Sequence, residues 1–344
     1  MRTSTLPQGE QAALLPGAHY SVPGLFLYSD LLYRCMDETE ARFSYRLPIQ
    51  YAYGSPKVRW NCGRLMLTED YNDLGRIRAE LAGAVTHGIT PLLTFSAPDL
   101  TEEDLKDPMG NEILAIANET GGGVIVSSPL LRDHIRAHYP NLEVHASVIL
   151  TAFTEERDLA YYEGLARDYD RYVLHPDDNF RLDLLAQLPK DKAEIIVNEP
   201  CGFHCPQRKE HYLSITLDQT ALIEEREELT DFLDRCPYVP NKKQREMKER
   251  NIALDTDEVT ALHQMGFSLF KLQGRLDIPY AFFFDLFRYS LESRVAFPAM
   301  YPPFCFDIRA HLKEKAKRRA RENKDKQKSS SCVFQQDDDF CSLS

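Results

Sequence analysis

Short apolar, β-branched runs recur along this chain, and most of the stretches between them carry a helical pattern. The runs are Ile49–Tyr53, Thr90–Ser96, Gly123–Ser127, Val144–Leu150, Tyr172–His175, Glu194–Asn198, Asn251–Leu254 and Ser268–Leu272. Helical patterns lie at Tyr71–Thr86, Thr101–Glu119, Glu155–Tyr169 and Asp257–Met265. Strands buried on both faces read as such short runs, and parallel strands need crossover helices to join them. Eight units predict a closed (β/α)8 TIM-type barrel, which also leaves no sheet edge exposed. An open doubly wound sheet would want a Gly-rich phosphate turn after its first strand. Gly121-Gly122-Gly123 instead precedes a run, as a helix C-cap does.

The barrel is expected over residues 21–308, after an irregular segment at 1–20. Between the sixth and seventh runs, about residues 200–250, the connection is far longer than an ordinary βα loop, and long insertions at that end are usually functional. Residues 309–344 form a charged tail expected to be disordered. Its basic run, Arg309 to Lys328, reads either as a solvated charged helix or as a contact for RNA or a partner protein.

The 344 residues carry a net charge of −12, a poor platform for gripping a phosphate backbone. No stretch approaches the ~20 apolar residues of a membrane helix, and Met1 to Gly17 lacks the pattern of a secretory signal. The expectation is a cytoplasmic protein with no membrane contact. In a reducing compartment, clustered cysteines are more often metal ligands or catalytic groups than disulfides.

Of the eight cysteines, Cys201 and Cys205 are the most informative, in Asn198-Glu-Pro-Cys201-Gly-Phe-His-Cys205-Pro-Gln-Arg208-Lys-Glu-His211. They follow an apolar run directly, and C-x3-C can bring two thiolates to one metal. Cys62 follows the first run and Cys236 ends the insertion, so a barrel would bring all four to its C-terminal mouth. Four thiolates suit a 4Fe–4S cluster or Zn²⁺; one close pair with two distant singles fits the cluster better. Cys62 and Cys236 also read as small buried apolar residues. Cys35, on the apolar stretch Leu31–Met36, reads as core.

Arg208 and His211 lie three apart, sharing a face if a helix starts there. Arg208 could hold a carboxylate of a small-molecule substrate at two points, and His211 could move a proton; both also read as an exposed helix start. Glu199 is a proton carrier or an acceptor for Arg208. Arg275, after Gly274, either serves an anionic ligand or forms a structural ion pair. Asp178 reads as a helix N-cap. No serine-hydrolase elbow, Walker loop or H-E-x-x-H is present.

The segment from Asn198 to His211 resembles the signature region of peptidase family U-32. Phe270-Lys-Leu-Gln-Gly-Arg275 is similar to that family's Lys-Ile-Glu-Gly-Arg type run. Tyr53-Gly54 followed by Cys62 and Arg64 resembles its first strand, notably in anaerobic ubiquinone-hydroxylation members. The resemblance spans roughly residues 49–291 and implies a barrel. In several members it also implies a 4Fe–4S cluster, here on Cys62, Cys201, Cys205 and Cys236. Beside such a cluster the expectation places Arg64, Arg208 and Arg275 toward substrate and His211 and Glu199 toward catalysis. Some members act in oxygen-independent hydroxylation of a quinone precursor or of RNA bases, working as protein pairs; others are labelled collagenase-like proteases. Gln273 stands where the family has an acid, and the 30 residues between Cys205 and Cys236 depart from the quinone-pathway spacing, which marks a divergent branch.

Overall fold

The inward and outward faces of the strands have different jobs, and their sequences show it. Outward residues such as Val124, Val126, Ile195 and Phe270 join a continuous apolar layer beneath the helices. Inward residues Tyr51, Leu92, Ile125 and Leu269 form a separate cluster, with Tyr53 against it, inside the barrel. The computed structural model describes residues 6–61, 73–226, 230, 252–273 and 279–336, with side chains as far as Arg321 except Arg319.

Eight parallel strands close on themselves in sequence order: β1 His19–Pro23, β2 Ile49–Gly54, β3 Thr90–Phe95, β4 Gly123–Val126, β5 Glu143–Ala146, β6 Arg171–Val173, β7 Ala193–Ile196 and β8 Leu269–Lys271. The seam is the β1–β8 pairing, with Tyr20 opposite Phe270 and Ser21 opposite Lys271. The helices are α1 Ser29–Phe43, α2 Leu74–Thr86, α3 Pro108–Thr120, α4 Pro129–His138, α5 Val148–Thr151, α6 Leu159–Asp168, α7 Leu182–Gln187, α8 Arg208–Ile223, α9 Thr256–Gln264, α10 Pro279–Ser290 and α11 Ala296–Gln336. The (β/α)8 barrel expected from the runs is therefore present.

Two strands differ from the expectation. His19–Pro23 is β1, so the boundary drawn at residue 20 falls inside a strand. Conversely, residues 252–254 pair with no strand; Asn251 lies outside the described residues. Ile252 donates its N–H to the Cys201 carbonyl and Leu254 to that of Val197, and both side chains are buried against the mouth. The apolar run thus packs beside the end of β7 without entering the ladder. With β1 counted, the insertion follows the seventh strand, not the sixth.

Local rules explain several boundaries. Asp73, Asp107, Ser128 and Asp158 cap α2, α3, α4 and α6 through side-chain oxygens, and Asp255 starts α9 with a capping box closed by Glu258. Gly121 ends α3 at φ +81°, the left-handed C-cap expected of it. At Gly123 a Cβ would lie 2.8 Å from the Glu143 carbonyl and from Leu92, so adjacent strands approach there only because that atom is missing. Cys35 is fully buried in α1, as core. The basic run from Arg309 continues α11 as helix, and its described side chains, as far as Arg321, are mostly exposed; residues 337–344 lie outside the described residues. Among the described residues no helix is long and apolar enough to cross a membrane.

Candidate functional site

The C-terminal ends of β7 and β8 are tied by one side chain. Asn198 accepts from the Gln273 N–H at 2.7 Å and donates to the Gln273 carbonyl at 2.8 Å and to Asp285 at 2.9 Å. Glu199, buried beside it, accepts from the Cys201 N–H at 3.1 Å and from the Gln273 side-chain amide. Of the two roles expected of it, proton carrier or acceptor for Arg208, the second is taken up here by Gln273, which supplies a donor from the neighbouring strand end. A carboxylate pinned by two donors braces the loop that carries the cysteines.

Cys201 and Cys205 leave that strand end as free, half-buried thiols, near enough for each to act on the other's ionisation. Burial pushes the Cys201 thiol up to about 12; Arg208 opposes this, while Glu199 and Cys205 add to it. His204, between them, adopts a left-handed backbone at φ +50°. Its side chain is 70% exposed and lies 3.6 Å from Asp177. Phe203 lies tilted against the His204 ring at 3.9 Å and meets Phe180 edge-on at 5.5 Å, which makes an exposed aromatic rim.

Arg208 opens α8 but is buried instead of exposed. One of its terminal nitrogens donates to the Gly202 carbonyl at 3.2 Å and lies 3.6 Å from Asp177, while its Nε is buried without a hydrogen-bond partner. Asp177, in the turn after β6, thus gathers Arg208, His204 and His175. Burial, with Arg157 and Arg208, pushes His175 down to about 2, so its ring is neutral and accepts from the Asp177 N–H as the cap of that turn. His211 follows on the first turn of α8, half-buried beside Tyr212.

Asp178 corrects the sequence reading. It is not an N-cap: it is buried and accepts from Tyr162 at 2.6 Å and Arg157 at 2.9 Å, with Arg181 at 3.2 Å. Three donors from α6 and the flanking loops make it a brace under the mouth. Cys62, Arg64, Cys236 and Arg275 lie outside the described residues. Their neighbours are described. Asn61 is buried and donates to Gln219 of α8 at 3.0 Å, and the Trp60 carbonyl accepts from Ala97. Among the described residues no group of three or more His, Cys, Asp or Glu is arranged to hold a metal ion.

The sequence reading passed over a polar chain inside the barrel. Lys271 donates to Glu194 at 3.1 Å; Glu194 meets His145 Nδ1 at 2.8 Å; His145 Nε2 meets Glu143 at 3.1 Å. Tyr51 then donates to Glu143 at 3.0 Å and accepts from Arg171 at 2.7 Å. Burial acts to lower the His145 pKa, but hydrogen bonds to Glu143 and Glu194 outweigh it and the net shift is upward. Burial likewise acts to raise Glu194, and Lys271 and His145 together bring it down to about 2. The signal was legible as period two: polar Glu143, His145 and Glu194 alternate with apolar Val144, Ala146 and Ile195.

No protein-family model matches the chain, and no curated protein does. Among solved structures, the U32 peptidase Mk0906 is similar over 80% of this chain and 96% of its own, at 14% identity and a TM-score of 0.48. The 3-keto-D-glucoside 4-epimerase YcjR from E. coli is similar over 69% of this chain and 87% of its own, at 11% identity and a TM-score of 0.34. At these values neither likeness carries a function across.

Proposed function

We propose that this chain is a barrel enzyme of the U-32-like type with a cysteine-held 4Fe–4S cluster at its mouth. Its chemistry would be redox or oxygen-independent hydroxylation of a small anionic or aromatic substrate. The observation that carries the reading is the Cys201–Cys205 pair: two free, half-buried thiols four residues apart on the loop leaving β7, near enough to act on each other's ionisation. Adjacent thiols on a Gly- and Pro-bearing loop are half of a four-thiolate set. Cys62 and Cys236 are the remaining members in this reading. Asn61 pinned to α8, and Ile252 returning to the Cys201 carbonyl, support their candidacy from the described side.

When bound, the cluster would supply one-electron chemistry. The chain's own residues would do the rest. Glu199 holds the loop through the Cys201 N–H, and Arg208 places a positive charge behind the thiols. Protein purified without oxygen should be brown and contain about four irons per chain. A colourless chain that takes up no iron on anaerobic reconstitution overturns the reading, and one equivalent of tightly bound zinc would favour a structural site instead.

A peptidase is the second reading, and Cys201 speaks against it. A thiol nucleophile needs a lowered pKa, whereas burial drives this one upward. Cleavage of casein by wild type that vanishes in Cys201→Ser would reinstate it. A non-catalytic protein that meets RNA or a partner through α11 would lose that partner when residues 313–344 are deleted.

A further inference from the structure

We infer that the mouth side of the barrel interior is a binding site for a small carboxylate, built on Lys271, Thr94 and Ser127. It extends the reading above by locating the anion, and it depends on the barrel mouth as a binding site but not on the cluster.

Lys271 is the last residue of β8, and its side chain points into the barrel with 7% exposure. Its ammonium lies 3.1 Å from Glu194, 3.4 Å from the Ser21 hydroxyl and 4.3 Å above the Tyr53 ring. One carboxylate, one long hydroxyl contact and an aromatic face leave this amine with donor capacity toward the mouth. Glu194 does not belong to Lys271 alone, because His145 draws on its other oxygen. From the half-exposed Glu143 upward the chain therefore alternates in sign, minus, plus, minus, plus, and its mouthward end is the lysine. A row of charges that ends on a buried cation favours an anion at that end.

Two hydroxyls on neighbouring strands supply the second observation. Thr94 and Ser127 are each one inward step beyond Leu92 and Ile125, both of which line the interior. Ser127 is 2% exposed, and neither its Oγ nor the buried Thr94 Oγ1 has a hydrogen-bond partner. Buried hydroxyls are ordinarily satisfied, and leaving two unpaired on adjacent strand ends costs stability. A small acid whose carboxylate meets Lys271 and whose second oxygen group faces these hydroxyls across the barrel would give all three groups a partner. The aromatic and aliphatic walls, Tyr53 and Ile125, suit a short organic acid better than a fully solvated phosphate.

Acetate, pyruvate and benzoate are suitable probes, titrated calorimetrically into the full chain. The expected result is saturable binding of at least one, weakened about tenfold in Thr94→Val/Ser127→Ala, which removes only hydroxyls, and abolished in Lys271→Met. Glu194→Leu/Lys271→Met guards against misfolding of the single lysine variant, and it should fold and not bind. Failure of all three acids to bind wild type overturns the inference, as does unchanged affinity in the hydroxyl variant. Because binding and not turnover is read, a protein without iron gives the same answer, so this inference and the cluster reading can fail separately.

Discussion

His145 Nδ1 lies 2.8 Å from Glu194 Oε1 at the centre of the barrel, and both side chains are completely buried. The same carboxylate receives Lys271 on its other oxygen. One anion thus compensates two cations where most barrels of this kind stack branched aliphatics.

Removing that anion alone should be severe. Glu194→Ala leaves the buried Lys271 uncompensated and His145 with Glu143 alone, and about 3–5 kcal/mol of stability should be lost in urea unfolding. Glu194→Leu/Lys271→Met, which takes out the pair, should recover most of the loss. A single variant within about 1 kcal/mol of wild type would show that water reaches the interior and replaces the carboxylate.

Stability should also vary with pH in a particular direction. His145 titrates above its ordinary 6.5 in the fold, so its contribution is full below that pH and is lost as pH rises through the folded value. Glu194 is brought from 4.5 to about 2, so its contribution is present above 4.5 and lost as pH falls through the folded value. Glu143, held down first by its bond to His145, acts in the same sense as Glu194. The interior is therefore most stable from about pH 4.5 to 6.5. Thermal melts of wild type and His145→Gln across this range check it: the variant should lose the decline on the alkaline side.

Asp178 braces the mouth from below through Tyr162, Arg157 and Arg181. Asp178→Ala should cost about 3 kcal/mol, by leaving Arg157 and a buried phenol without their acceptor. An N-cap would cost ~1 kcal/mol, so chemical unfolding separates the two roles.

In metal-free protein, Cys201 should react slowly with a disulfide reagent at pH 8, since burial holds its proton on. Cys35, buried in α1 and likewise pushed up, should react only on unfolding. Mass spectrometry of timed, alkylated samples gives both rates. Rapid labelling of Cys201 in the native chain would overturn the pKa argument made against the peptidase reading.

The sequence by itself determined the barrel, because strands covered on both faces read as short, largely apolar runs and crossover helices must separate parallel strands. It also determined the Gly121 cap, the burial of Cys35 and the exit of Cys201 and Cys205 from a strand end. It could not distinguish His19–Pro23 from residues 252–254, since a polar strand beside the seam and an apolar run packed on a loop differ only in their partners. Tertiary structure alone decided that Glu199 answers to Gln273, that Asp178 answers to Tyr162 and Arg157, and that Glu143, His145, Glu194 and Lys271 meet. Those groups come from β5, β7 and β8, far apart in the chain. Only closure of the sheet brings their inward faces together, and no local rule carries that information.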